Sequence, residues 1–259
     1  VHRAPRPSDP APGAAPDPRA HASCSAPGGG LHVDLGTSFV YRKPVAALVW
    51  ERFPRSLELA FGALIVQLVI GVGAGVLAGA RRGRRADDAV MGAALLGASA
   101  PTFVIGAGLQ HILAYRLRLL PLDGVGKTAT EHLLALVLPS LVLGIYGSAL
   151  LARVTRDQVR AALAADPART ARAKGASGLR VVLAHGLRNA LVPIATLAVL
   201  DVGALVGGAV VTEKMFRWPG LGDMAVTAIV NRDAAATAGV ALAAAVAVAA
   251  ASILVDVLA

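Results

Sequence analysis

The sequence predicts an all-α membrane protein, built as a polytopic helical bundle. Hydrophobic residues make up 56% of its 259 residues and charged residues only 16%, whereas soluble domains carry about a quarter charged residues. The mean hydropathy is +0.64. Lysine and arginine are concentrated in short segments between long apolar stretches, so the formal net charge of +9 reflects membrane topology and predicts no nucleic-acid partner.

Five apolar stretches are each long enough to cross a bilayer, which takes roughly 20 apolar residues. Most of them contain no lysine or arginine. They predict five transmembrane helices and continuous contact with membrane lipid, at about residues 59–80, 89–115, 133–152, 191–211 and 237–258.

The lysines and arginines between these stretches predict the orientation of the bundle. The loops after the first and third stretches hold twelve of them, including Arg81, Arg82, Arg84 and Arg85, and the alternate loops hold six. Because cytoplasmic loops carry the excess of basic residues, the first pair is predicted to be cytoplasmic. The protein is therefore expected to be a multi-pass membrane protein.

This orientation places residues 1–55 outside the cell as an extracytoplasmic segment, ahead of a membrane domain at 56–259. The segment begins with a proline-rich stretch that predicts partial disorder. No charged-then-apolar signal precedes it. We therefore expect a sixth, N-terminal span to be missing from the sequence. We also expect the C-terminal end to be cut, because the sequence stops at Ala259, within a turn of the last span.

The basic segment between the third and fourth spans, at about 153–190, is predicted to be ordered. Asp166 is a candidate N-cap, and Pro167 suits the first turn of a short helix. Lys174 suits the C-terminal end of the helix dipole, and Gly175 supplies the left-handed residue that ends the helix. Ser177 can cap a second helix that runs on into the membrane. The alternative interpretation is a solvated, positive-inside loop.

This segment resembles the signature loop of ABC importer permeases, in which a Glu-Ala-Ala pattern is followed by three residues and a glycine. Gly175 matches that glycine, and Arg169, Thr170 and Ala171 stand at the Glu-Ala-Ala positions. The runs 169–175 and 187–193 are similar to the dipeptide, oligopeptide and nickel branch, as are the stretches 34–38 and 216–222. The resemblance implies the type I importer permease fold and a location in a bacterial plasma (inner) membrane.

In this family the loop is a coupling loop that docks on a cytoplasmic ATPase subunit. The resemblance therefore implies an ATPase-docking set that is mostly polar: Asp166, Arg169, Thr170, Ala171, Arg172, Lys174 and Gly175. It also implies a second, homologous permease subunit and an extracytoplasmic substrate-binding protein as partners. The implied function is ATP-driven import of dipeptides or oligopeptides, and nickel and glutathione-type permeases share the same loop.

Asp201 lies about ten residues into the fourth span, where a charge is costly and often functional. It stands where this family is expected to have an uncharged polar residue. Two interpretations remain open: Asp201 lines the translocation path, or it forms a hydrogen bond with a neighbouring helix or subunit. Glu213, Trp218 and Asp223 lie in the following outer loop, which the resemblance implies is a binding-protein contact. A tryptophan at this depth is also typical of a membrane anchor.

The sequence predicts no cofactor and no catalytic group in this chain. Residues 124–128 imitate the end of a phosphate-binding loop, but Pro121 stands where the pattern needs glycine, so the segment is interpreted as a turn. ATP and magnesium are therefore expected in a partner ATPase. The single cysteine, Cys24, and the spacing of the six histidines predict no metal site. A secondary transporter or channel, coupled to ions through Asp201, is the alternative from another class.

Overall fold

The computed structural model describes residues 34–81 and 85–258, and these residues are almost entirely helical. The start of the predicted extracytoplasmic segment, residues 1–33, lies outside the described residues. In chain order the helices are α1 (Val45–Ala80), α2 (Arg85–Ser99), α3 (Thr102–Arg116), α4 (Ala129–Ala164), α5 (Asp166–Ala173), α6 (Gly178–Val206), α7 (Val210–Met215), α8 (Leu221–Val230) and α9 (Ala234–Val257).

Among the described residues, α1, α4, α6 and α9 are each long and apolar enough to cross a membrane. They confirm four of the five predicted spans, although the helices extend beyond the predicted bounds. Helix α4 has 36 residues and is therefore about 54 Å long, which exceeds the roughly 30 Å hydrocarbon core of a bilayer. Its C-terminal part, predicted as the start of the cytoplasmic loop, is thus a continuation of the span.

The predicted span at 89–115 is not one continuous helix. The chain bends by 97° between α2 and α3, and Pro101 stands as the N-cap residue of α3. Proline disfavours the helical conformation in the residue before it, so a helix tends to end there. The pair counts as a fifth span only if its two helices together form one broken span.

Helices α1 and α4 pack closely against each other along a row of glycines. A Cβ atom added to Gly71 would lie 2.8 Å from the Ser148 carbonyl oxygen, and one added to Gly75 would lie 2.6 Å from the Ala152 carbonyl oxygen. Gly79 repeats the contact one turn further on, 3.0 Å from the Arg156 carbonyl oxygen. The residue numbers rise together, so the two helices run parallel. We call this contact the glycine seam.

The start of α2 and the C-terminal part of α4 lie at the same end of the bundle. Asp87, in the first turn of α2, is buried and accepts hydrogen bonds from Arg156 Nε at 2.8 Å and Arg156 Nη2 at 3.0 Å. Arg160 also pairs with Asp87. Since both arginines lie in the segment of α4 that was predicted as the start of the cytoplasmic loop, the ion pairs hold this segment against α2.

The segment that imitates a phosphate-binding loop is a turn followed by a helix cap. Gly124 has a left-handed backbone, with φ +84°. Thr128 accepts a hydrogen bond from the Glu131 backbone N–H, and the Glu131 carboxylate accepts one from the Thr128 backbone N–H. This reciprocal capping box begins α4, so the threonine hydroxyl is engaged within the chain.

We expect Gly75→Ala to destabilise the protein by about 1–3 kcal/mol, because the added methyl group meets backbone that cannot move aside. Gly73→Ala is the matched control, since a Cβ at Gly73 meets nothing within 4 Å. The midpoint of thermal unfolding in detergent measures both variants. Equal midpoints for the two variants would contradict the close approach at the glycine seam.

Candidate functional site

The basic loop contains the short helix predicted from its sequence. Helix α5 spans Asp166–Ala173 and has Pro167 in its first turn. The N-cap residue is Ala165, with no side-chain capping bond, so the prediction that Asp166 caps the helix was wrong. Asp166 instead occupies the first helical turn, where its negative charge still suits the helix dipole. Ser177 is the N-cap residue of α6, also without a side-chain capping bond.

Gly175 ends α5 in the way the sequence predicted. Its φ is +82°, its N–H donates to the Arg172 carbonyl at 3.0 Å, and the Ala176 N–H donates to the Ala171 carbonyl at 3.0 Å. These two bonds form a Schellman motif, in which a left-handed residue lets the last carbonyls of a helix be satisfied. The motif fixes the direction in which the chain leaves α5 and enters α6.

Helix α5 presents a basic outer surface and is anchored on its inner side. Ala168 is fully buried, and Arg172 Nη1 donates to the Leu163 carbonyl at 3.2 Å. The side chain of Arg169 is 70% exposed and lies 3.8 Å from Asp166, whose side chain is 94% exposed. Thr170 and Lys174 are also exposed, and Ala171 is half-buried. The side chains predicted for docking therefore share one accessible segment.

Asp201 lines a cavity of about 680 Å³ between α4, α6 and α7. The Gln67 side chain of α1 lies within hydrogen-bonding reach of the Asp201 carboxylate. Gln67 is buried, and sequence analysis missed it because a lone glutamine in an apolar span has no pattern of its own. Both interpretations of Asp201 therefore remain open, because it lines a cavity and also has a partner on a neighbouring helix.

Glu213 is fully buried beneath the outer loop. Ser56 Oγ donates to one carboxylate oxygen at 2.7 Å, and the Asp223 N–H donates to the other at 2.9 Å. Burial raises the pKa of Glu213 above its usual value, and the bonds from Ser56 and from the backbone N–H groups of Asp223 and Gly222 oppose that rise. A Cβ at Gly220 would lie 2.4 Å from the carboxylate, so glycine is required there.

Trp218 and Asp223 are also held within the chain. Trp218 is fully buried, and its Nε1–H donates to the Arg55 carbonyl at 2.7 Å, so it does not anchor the chain at the membrane surface. Asp223 pairs with Arg52 at 3.0 Å and with Lys214 at 3.1 Å. The three residues predicted to contact a binding protein therefore hold the outer loop against α1, and the proposed contact stays a prediction.

Asp233 joins the segment before α1 to the start of α9. Its carboxylate accepts hydrogen bonds from Ser38 Oγ at 2.5 Å, from the Val40 N–H at 3.3 Å and from the Ala236 N–H at 3.1 Å. Burial by itself would raise the pKa of Asp233, but these hydrogen bonds outweigh it and lower the pKa below its usual value. The carboxylate form therefore stabilises this connection.

Comparisons with known proteins agree with this architecture. The family described as "Binding-protein-dependent transport system inner membrane component" matches residues 71–259. A glutathione transport system permease protein, GsiC, from Escherichia coli O6:H1 is 42% identical over 200 residues, which cover 77% of this chain and 64% of the relative. The GsiC protein of Salmonella choleraesuis is 41% identical over 203 residues, covering 78% and 65%. The chain thus spans less than two thirds of the length of these relatives.

Solved transporter structures share the fold. An inward-facing structure of the MetNI methionine ABC transporter matches with a TM-score of 0.66 at 18% identity, covering 83% of this chain and 97% of that one. An amino acid ABC transporter matches with a TM-score of 0.60 at 14% identity, covering 82% and 92%. At these identities the likeness establishes the fold alone, which is that of ABC importer permeases.

Asp233→Asn is expected to destabilise the protein by about 1–3 kcal/mol at neutral pH, because an amide cannot accept all three hydrogen bonds. A carboxyl with a lowered folded-state pKa stabilises above its unfolded pKa, near 3.8, and loses that contribution as the pH falls through the folded value. The difference between wild type and variant should therefore shrink when the pH is lowered from neutral to below 3.8 and through the folded-state pKa.

Thermal unfolding midpoints in detergent at both pH values measure this difference. Asp157→Asn is the control, because the Asp157 side chain is 59% exposed. A difference between wild type and Asp233→Asn that stayed constant with pH would contradict the assignment of the carboxylate form.

Proposed function

Because the chain belongs to the family of inner-membrane components of binding-protein-dependent transport systems, we propose that it is a permease subunit of an ATP-driven importer. It pairs with a second, homologous permease subunit and receives substrate from an extracytoplasmic binding protein. Two ATPase subunits bind ATP and magnesium, and this chain catalyses no chemistry. ATP binding closes the ATPases and switches the spans between inward and outward openings.

The observation that carries this proposal is the exposed helix α5 and its rigid junction with α6. The cations Arg169, Arg172 and Lys174 are exposed and offer charge to an acidic docking surface. Ala171 and Ala173 allow close approach of the partner. Because the Schellman motif at Gly175 sets the angle between the docking helix and a membrane span, movement of α5 is transmitted to α6.

The cavity beside Asp201 is the best candidate for part of the translocation path. It lies between spans and carries polar groups, among them Gln67, Tyr146 and Thr212, within an apolar wall. Small peptides are the proposed substrates. Glutathione is itself a tripeptide, and the names of the relatives at about 41% identity favour it as the second candidate.

An ATP-driven importer should take up substrate only when an ATPase is bound. We expect this chain to co-purify with an ATPase subunit, and uptake into proteoliposomes to be abolished by vanadate but not by an ionophore. The alternative, a secondary transporter that couples uptake to ions through Asp201, predicts the reverse pattern. Uptake that survives vanadate and collapses with the ionophore would therefore refute the proposal.

Gly175→Leu should impair coupling, because a left-handed backbone costs about 1–2 kcal/mol for a residue with a side chain. We expect transport-coupled ATP hydrolysis to fall about tenfold, while the variant still folds, since a Cβ at this position meets nothing within 4 Å. Gly178→Leu is the matched control: it also has open space, and its φ is not in the left-handed region. If the two variants hydrolysed ATP equally well during transport, the proposed role of Gly175 in coupling would be refuted.

A further inference from the structure

Few of the residues that line the cavity beside Asp201 have side chains that can form hydrogen bonds. Its wall is mostly leucine and alanine, and the polar residues that line it are Gln67, Thr102, Tyr146, Asp201 and Thr212. Thr212 is buried, whereas Tyr146 is 50% exposed, so the cavity opens on the side of Tyr146. A face that carries a carboxylate is costly against lipid, and we therefore expect this side to face an aqueous path or another subunit.

Gln67 provides an acceptor that nothing in the described structure satisfies. Its side chain is 1% exposed, and its Oε1 atom has no hydrogen-bond partner. The amide nitrogen is the atom that can donate to the Asp201 carboxylate, since an ionised carboxylate only accepts. Gly147 leaves room for this nitrogen, because a Cβ there would lie 2.1 Å from Nε2.

The Asp201 carboxylate is therefore the acceptor that the cavity offers to a ligand, because Gln67 Oε1 has almost no accessible surface. A carboxylate in an apolar wall is stabilised most by a ligand that brings both hydrogen-bond donors and a positive charge. A primary ammonium has three donors, no acceptor and one positive charge. The leucine and alanine side chains of the wall suit an apolar body attached to it.

We infer that this cavity binds the free ammonium group of a substrate, with the Asp201 carboxylate as its counter-charge and Gln67 as the residue that positions this carboxylate. The inference rests on the proposed import function and deepens it, because it assigns the substrate class as molecules with an unblocked amine. An N-terminal peptide ammonium is one such group.

Protection from a hydrophobic carbodiimide, dicyclohexylcarbodiimide, tests the inference directly. The full permease–ATPase complex is placed in lipid nanodiscs without binding protein, and mass spectrometry follows the rate of modification at Asp201. Millimolar trialanine should slow this rate about tenfold, the factor that 1.4 kcal/mol of interaction gives. N-acetyl-trialanine and potassium chloride at equal concentration should leave it unchanged, because neither presents an amine.

Two internal comparisons make the result specific. Modification at Glu213, which does not line the cavity, should respond to none of the three additions. Gln67→Leu should leave Asp201 open to modification and reduce the protection by trialanine, because the amide that positions the carboxylate is lost while the carboxylate stays.

Each other outcome overturns the inference. Equal protection by both peptides means that the cavity recognises the peptide body, and equal protection by potassium chloride means a general cation site. If Asp201 is not modified even at mildly acidic pH, where a carboxyl is protonated and reacts with the carbodiimide, it is not accessible from the cavity and the inference fails. Specific protection by trialanine in a complex that shows no vanadate-sensitive uptake would support this site and refute the proposed function instead.

Discussion

The contact of α1 with α4 along the glycine seam is the constraint on which the other sites depend. Because a Cβ at Gly71, Gly75 or Gly79 would lie at most 3.0 Å from a carbonyl oxygen of α4, the two backbones can meet in one register only. That register sets Arg156 beside Asp87 at one end of the bundle. In the middle it places Gln67 over Gly147, where the glutamine can reach Asp201. The same crossing positions Ser56 and Arg55 of α1 for the outer loop.

The sequence predicted the features that depend on local chemistry. Hydropathy predicts the spans, and the Pro167 and Gly175 positions predict α5 and its end. Proline restricts the backbone wherever it occurs, and glycine accepts the left-handed conformation that ends a helix. The break between α2 and α3 was missed, although Pro101 is a signal for it. Asp166 was predicted as the N-cap but is the first helical residue, because capping preference alone cannot distinguish these two adjacent positions. The π-helical segment Val182–Leu187 was also missed, because no periodicity in the sequence indicates it. Leu179 and Leu183, in and next to this segment, are exposed.

The parts that the sequence could not predict are long-range pairings of buried polar groups. Asp87, Glu213 and Asp233 are all buried, yet each is stabilised differently. Asp87 has two arginines, Glu213 has a serine hydroxyl and backbone N–H groups, and Asp233 has a serine hydroxyl and a helix N-terminus. In the sequence, Arg156 lies 69 residues from Asp87, Ser56 lies 157 residues from Glu213, and Ser38 lies 195 residues from Asp233. Only the fold brings such residues together, so the role of each carboxylate follows from tertiary structure.

The glycine seam also has a mechanical consequence. Where two backbones touch without side chains between them, there is no soft layer that can deform, and the pair moves as a rigid body. Helix α4 is about 54 Å long and reaches from the capped turn at Thr128 to the residue before α5. A push on α5 would therefore tilt α1 and α4 together instead of bending either one. The change of shape that alternation requires would then fall on the 97° corner at Pro101.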